Sequence, residues 1–176
     1  MEDKGFISLL AVRARISPDA VYATFDGEPI TFSDLHRTSD SVAAELRRLG
    51  VVKGDRVALM LRNSPDSLAV LFAIAKCGAV WVPVNVQLRG DGLKYILEHC
   101  DPRVVFADRD LFANILDCGV DTGAFRLVAE TGEAGSLDRL VAGGHVFSEA
   151  LPEADDLFAL NYTSGTTGRP KGVCVT

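Results

Sequence analysis

Nine consecutive residues near the end of the 176-residue chain, Thr163-Ser-Gly-Thr-Thr-Gly-Arg-Pro-Lys171, concentrate groups that hold an anion. Gly165 and Gly168 admit positive φ, and without β-carbons they let backbone N–H groups close on phosphate oxygens. Thr163, Ser164, Thr166 and Thr167 add four hydroxyl donors. Lys171 adds a mobile cation, and Pro170 stiffens the stem from which it projects. Arg169 is expected to be a solvated residue. Such a set grips a polyphosphate and offsets charge that builds on it.

The spacing departs from the G-x-x-x-x-G-K-[ST] phosphate loop, because the second glycine counted from Gly165 would fall at Pro170. Leu157-Phe-Ala-Leu-Asn-Tyr162 before the loop and Gly172-Val-Cys-Val-Thr176 after it both have the composition of strands. No helix start follows, so no helix dipole serves the anion. The donors must come from the loop itself.

The elements that would position these strands alternate along the chain. Thr31, with Asp34 three residues on, caps a helix marked by Leu35, Val42, Leu46 and Leu49 and stopped at Gly50. Arg56–Leu61 reads as a strand, and Ser64 with Pro65 opens a helix that ends at Gly78. Strand patterns follow at Val80–Val84, Arg103–Ala107 and Phe125–Ala129, separated by helical patterns over Gly92–Cys100 and Asp110–Cys118. This rhythm predicts an α/β fold: a mostly parallel sheet flanked by helices on both faces, ending in a strand-loop-strand phosphate-binding hairpin. Residues 1–130 form the expected α/β core and residues 157–176 the hairpin. Residues 131–156, rich in glycine and acidic side chains, read as a surface connection with one short helix near Ser136–Val141.

Composition narrows the partners. Hydrophobic residues make up 48%, which suits a buried parallel sheet whose strands are apolar on both faces. The net charge of −6, with acidic and basic residues interleaved, provides no basic face for a phosphate backbone, so nucleic acid is not an expected partner. The apolar run Leu68–Ala75 is broken at Lys76, far short of the ~20 residues of a membrane span. The acidic start Met1-Glu-Asp-Lys-Gly lacks the order of a secretory signal, and a cytoplasmic protein is expected. Cys77, Cys100, Cys118 and Cys174 form no C-x-x-C pair and read as small buried thiols, with no metal or disulfide site. His36, His99 and His145 have no cysteine, serine or carboxylate partner at a telling spacing, and surface or capping roles are expected for all three.

Tyr162-Thr-Ser-Gly-Thr-Thr-Gly-Arg-Pro-Lys-Gly-Val173 resembles the signature phosphate-binding motif of the adenylate-forming superfamily, which includes acyl-CoA synthetases, firefly luciferase and the adenylation domains of peptide synthetases. Ile30–Leu35, Gly50–Ala58, Asn63-Ser64 and Ala75–Asn85 resemble family landmarks in family order, and these carry core and turn roles. The resemblance implies that a carboxylate attacks the α-phosphorus of ATP, giving an acyl-adenylate and pyrophosphate, and that coenzyme A then displaces AMP. It implies that Thr163, Ser164, Gly165, Thr166, Thr167 and Gly168 line the phosphates with Mg2+, and that Lys171 screens the developing charge as the catalytic residue. No general base is required, because a carboxylate is already a nucleophile at neutral pH.

Asn85 and Thr166 resemble acyl-CoA ligases more than peptide-synthetase domains, where aspartate and serine are usual. The alternatives are an adenylation domain that loads a carrier protein and a non-catalytic nucleotide-binding fragment. The expected partners are a small-molecule carboxylic acid, ATP and coenzyme A, with a homodimer as an allowed assembly. In the family, the acyl pocket, the adenine and ribose contacts and a mobile C-terminal domain with its lysine lie downstream of the motif. The chain is therefore expected to be an N-terminal fragment, inactive without the C-terminal part of the same enzyme.

Overall fold

A computed structural model describes residues 5–129, 136–149, 151–153, 155–163 and 170–176. Its centre is a six-stranded sheet in the order β6-β5-β3-β4-β7-β8, formed by β3 (Arg56–Met60), β4 (Val80–Pro83), β5 (Val104–Ala107), β6 (Arg126–Ala129), β7 (Ala159–Thr163) and β8 (Lys171–Val175). The first five in spatial order run parallel, and β8 returns antiparallel along β7.

The helices lie on both faces, and the period-2 alternation of each strand decides what they cover. Val57, Leu59, Val104, Phe106 and Val128 point to one side, where α2 (Phe32–Arg48), α3 (Pro65–Lys76) and α6 (Leu137–Ala142) close over them. Ala58, Met60, Val82, Val84, Val105 and Ala107 point to the other, beneath α4 (Gly90–Cys100) and α5 (Phe112–Asp117). Both faces are buried, as the near-continuous apolar strands require.

Local signals fix the helix starts. Thr31 Oγ1 accepts the Asp34 N–H at 3.1 Å while the Asp34 carboxylate accepts the Thr31 N–H at 3.4 Å. Ser64 and Ser67 make the same reciprocal exchange ahead of Pro65. Gly50, with φ of 81°, ends the turn after α2, where a side chain would meet both a strained backbone and the Arg103 guanidinium at 2.9 Å.

Three elements precede the first helix in the sequence pattern and were not expected from it. α1 (Phe6–Ile16) packs Leu10 against Leu35 and Phe72, and β1 (Val21–Phe25) pairs with β2 (Glu28–Thr31) as a separate antiparallel hairpin. Asp26 and Gly27 turn that hairpin with φ of 51° and 89°, the all-positive geometry that an Asp-Gly dipeptide favours. The stretch read as a surface connection contains α6, whose Leu137 and Leu140 are buried in the core and whose Leu140 carbonyl accepts the Ser41 hydroxyl at 2.6 Å. Three of the cysteines are buried, but Cys174 is exposed on β8, because that strand is an edge with no layer over it. Among the described residues, no helix is long and apolar enough to cross a membrane.

Candidate functional site

The residues on either side of the phosphate loop are fixed by a β-ladder. β7 and β8 pair from Ala159↔Val175 through Leu160↔Cys174, Asn161↔Val173 and Tyr162↔Gly172 to Thr163↔Lys171. Thr163 and Lys171 therefore face each other across the last rung, both exposed, and the loop bridges them at the tip. Among the described residues, no carboxylate forms an ion pair with Lys171. Ser164, Gly165, Thr166, Thr167 and Gly168, the remaining residues expected to line the phosphates, lie outside the described residues.

The hairpin opens at the carboxyl edge of the parallel sheet, since β7 runs parallel to β4. The helix that follows β3 covers one face and the helix that follows β4 covers the other. Between these strands the chain winds in opposite directions, which leaves a crevice at their carboxyl ends, and open α/β sheets bind ligands there. The Thr163–Lys171 end of the hairpin stands one strand beyond that switch point.

Other polar groups gather on the same edge. Asp108, just after β5 and 2% exposed, accepts the Arg62 N–H at 3.2 Å and Arg62 Nη1 at 2.6 Å, while Asp110 accepts the two guanidinium nitrogens at 2.9 and 2.8 Å. The neighbouring carboxylates raise the Arg62 pKa, led by the Asp110 bond. Arg62 thus ties the segment after β3 to the segment after β5. Sequence offered no sign of this, because the partners stand 46 and 48 residues apart. Asn85, after β4, accepts the Gln87 N–H on its side-chain oxygen at 2.9 Å and shapes the turn towards α4. An aspartate would accept the same bond, so this side chain builds a turn and does not itself distinguish ligases from peptide-synthetase domains.

His99 lies on the surface, as expected, and its ring has a partner that no sequence spacing indicated. Its Nδ1 lies 2.6 Å from the Tyr162 hydroxyl, and the two rings meet edge to face with centroids 5.6 Å apart. Partial burial pushes the Tyr162 pKa up to about 12, so the phenol stays protonated at neutral pH. Gly172 also has a packing role: an added β-carbon would lie 2.9 Å from Leu160 Cδ1 and 3.7 Å from Tyr162 Cε1. The two other histidines do have carboxylate partners. His145 Nε2 lies 3.4 Å from Glu45, and His36 Nε2 lies 3.8 Å from Asp40 at i,i+4 spacing. His36 and Asp40 belong to a cluster around the buried Lys76, on the far side of α3 from the sheet's carboxyl-edge loop. Among the described residues, no group of three His, Cys, Asp or Glu side chains is arranged to hold a metal ion.

Comparison with known proteins agrees with this architecture along nearly the whole chain. The family model "AMP-binding enzyme" matches residues 10–176. A medium/long-chain-fatty-acid–CoA ligase of Mycobacterium tuberculosis is 33% identical over 168 residues, covering 93% of this chain and 28% of that protein. Bacitracin synthase 3 of Bacillus licheniformis is 30% identical over 174 residues, covering 98% of this chain and 3% of that protein. The anthranilate CoA ligase AuaEII, solved with anthranoyl-AMP, superposes with a TM-score of 0.84 at 25% identity, over 96% of this chain and 34% of that one. The chain thus spans about a third or less of the length of these relatives. With the motif strands paired at the carboxyl edge of a parallel sheet and the family pattern matched from residue 10 to residue 176, the chain belongs to the AMP-binding, adenylate-forming enzyme family.

Proposed function

We propose that this chain is the phosphate-gripping lobe of an ATP-dependent acyl-CoA ligase. The observation that carries the proposal is the registered β7–β8 hairpin, which holds Thr163 opposite Lys171 at the two ends of a loop of glycines and hydroxyl residues. That donor set fits the β- and γ-phosphates of ATP. The glycines permit close approach by N–H groups, the hydroxyls of Thr163, Ser164, Thr166 and Thr167 donate to phosphate oxygens, and Lys171 offsets charge. A divalent cation, expected to be Mg2+, would supply further charge neutralisation on the same phosphates.

A carboxylic acid substrate attacks the α-phosphorus of ATP, the bond to the bridging oxygen of pyrophosphate breaks, and the electron pair leaves on pyrophosphate. Coenzyme A then attacks the acyl carbon through its sulfur, and AMP departs with the electron pair of the acyl–oxygen bond. The loop's contribution falls in the first step. It receives the charge that shifts onto pyrophosphate as the bond breaks, with Thr163 and Lys171 held at its two ends by the ladder.

Loading a carrier protein in place of coenzyme A is the second reading, and the 30% identity to bacitracin synthase 3 favours it. Both share the adenylation step. The thioester acceptor separates them: release of free acyl-CoA supports the ligase, and exclusive transfer to a phosphopantetheinylated carrier overturns it. A cytoplasmic setting belongs to the same proposal and accords with four free cysteines. The chain spans 28% of the Mycobacterium tuberculosis ligase, and we infer that the 176 residues alone do not support adenylation. Acid-dependent ATP–pyrophosphate exchange tests this directly, and robust exchange by the 176-residue chain would refute it.

A further inference from the structure

The strand that leads into the phosphate loop pairs with β8 along its length but is registered with β4 at one end only. β4 and β7 share a single registered pair, Trp81 opposite Ala159, and the Trp81 N–H donates to the Phe158 carbonyl at 2.8 Å. The N–H groups of Val80 and Val84 donate to the other neighbour, β3, at 2.7 and 2.8 Å. Amide directions alternate along a strand, so residue 83 is the next position that faces β7. It is Pro83, which has no N–H to give. The β4–β7 ladder stops there, and Asn161, Tyr162 and Thr163 run on towards the loop without it.

Leu160 and Tyr162 pack against the core on that side, and among the described residues one side-chain hydrogen bond spans the gap. His99, in the last turn of α4, meets the Tyr162 hydroxyl at 2.6 Å, directly before Thr163. The protonated phenol can donate to a bare Nδ1 or accept from an Nδ1–H, so the link forms with either imidazole tautomer. The Tyr95 ring stands beside His99 with centroids 5.5 Å apart and limits its swing. On the β8 side, Gly172 lies opposite Tyr162 and leaves room for the tyrosine ring next to Lys171. Helix α4, His99, Tyr162 and Gly172 therefore form a continuous brace from the sheet's covering helix to the lysine stem.

We propose that His99 is a positioning residue for the phosphate loop, acting through Tyr162 in place of the main-chain bond that Pro83 cannot donate. The proposal rests on the loop's assigned role for its functional meaning, but the brace itself can be tested without any ligand. Amide hydrogen exchange in the 176-residue chain reads it. In both Tyr162→Phe and His99→Ala, exchange at residues 161–163 and 171–173 should rise about 5- to 10-fold while β3 and β5 amides are unchanged. The double variant should be no faster than the faster single one, and His99→Asn, which keeps an acceptor near the Nδ1 position, should restore most of the protection.

Exchange within two-fold of the parent in both single variants would overturn the proposal. So would a uniform rise across the sheet, which would indicate general destabilisation, or simple additivity in the double variant. Titration with magnesium tripolyphosphate separates the two levels. If the parent chain binds it, the single variants should bind several-fold more weakly, and equal affinity would overturn the positioning role. If the parent chain does not bind it, the phosphate role of the loop fails and the exchange data still decide whether the brace exists.

Discussion

Lys171 is exposed, at the first position of β8, opposite Thr163, and makes no ion pair among the described residues. Its removal should affect chemistry and not folding. In the full-length enzyme, Lys171→Met is expected to lower the ATP–pyrophosphate exchange rate by about 10- to 100-fold, somewhat below the loss of a buried oxyanion donor because the site is open to water. An unchanged melting temperature with an unchanged rate would make the lysine an ordinary surface cation. Gly172 gives the opposite expectation. A β-carbon there meets the flexible end of Leu160 at 2.9 Å, so Gly172→Ala should cost about 1 kcal/mol or less, whereas the branched side chain of Gly172→Val must push on both Leu160 and Tyr162 and should cost about 1–3 kcal/mol. Urea unfolding compares the two, and equal midpoints would show that Leu160 and Tyr162 simply move aside.

Among the elements, the α2–α3 pair carries a buried charge cluster whose pH dependence has a definite sign. Lys76, 2% exposed, donates to Asp40 at 2.6 Å, to Ser39 Oγ at 2.8 Å and to the His36 carbonyl at 3.1 Å. Three ammonium hydrogens serve four acceptors, so one is shared between the His36 carbonyl and the His36 Nδ1 at 3.0 Å; the ammonium can only donate, so that ring nitrogen accepts, which requires a neutral ring. Burial first, and the Lys76 charge second, push the His36 pKa below its ordinary value, with Asp40 opposing them. Arg15 of α1 and His145 line the same groove. A histidine whose pKa is depressed by folding binds its proton more tightly when unfolded. Its contribution is complete above the unfolded value of about 6.5 and is lost as pH falls through that value towards the folded one. Urea midpoints should therefore drop more between pH 7.5 and 5.5 in the parent chain than in His36→Gln, and parallel pH curves would remove His36 from the account.

The same elements show what a sequence makes legible. The caps at Thr31 and Ser64, the parallel strands and the two strands β7 and β8 rest on short-range signals, and each stands within a few residues of its expected bounds. The short helix expected near Ser136–Val141 is present as α6, but its burial was not legible, because two leucines three residues apart are too few to define a buried face and only α2 and α3 supply the core that covers them. The β1–β2 hairpin had a usable signal in Asp26-Gly27, but it lies outside the alternation of strands and helices that organises the rest of the chain.

At the scale of the molecule, the sequence by itself determined the α/β class and the family, because hydrophobic period, capping pairs and motif spacing are properties of neighbouring residues. Tertiary structure alone decided the strand order, which puts the Thr163–Lys171 end of the hairpin one strand from the switch point, and the contacts between residues far apart in the chain. His99 and Tyr162 stand 63 residues apart, and Arg62 and Asp108 stand 46 apart. No local pattern encodes either pair. The Arg62–Asp108 pair arises where parallel strands, joined by long crossovers, bring their carboxyl ends to one edge, and the His99–Tyr162 pair where the last turn of α4 packs beside β7.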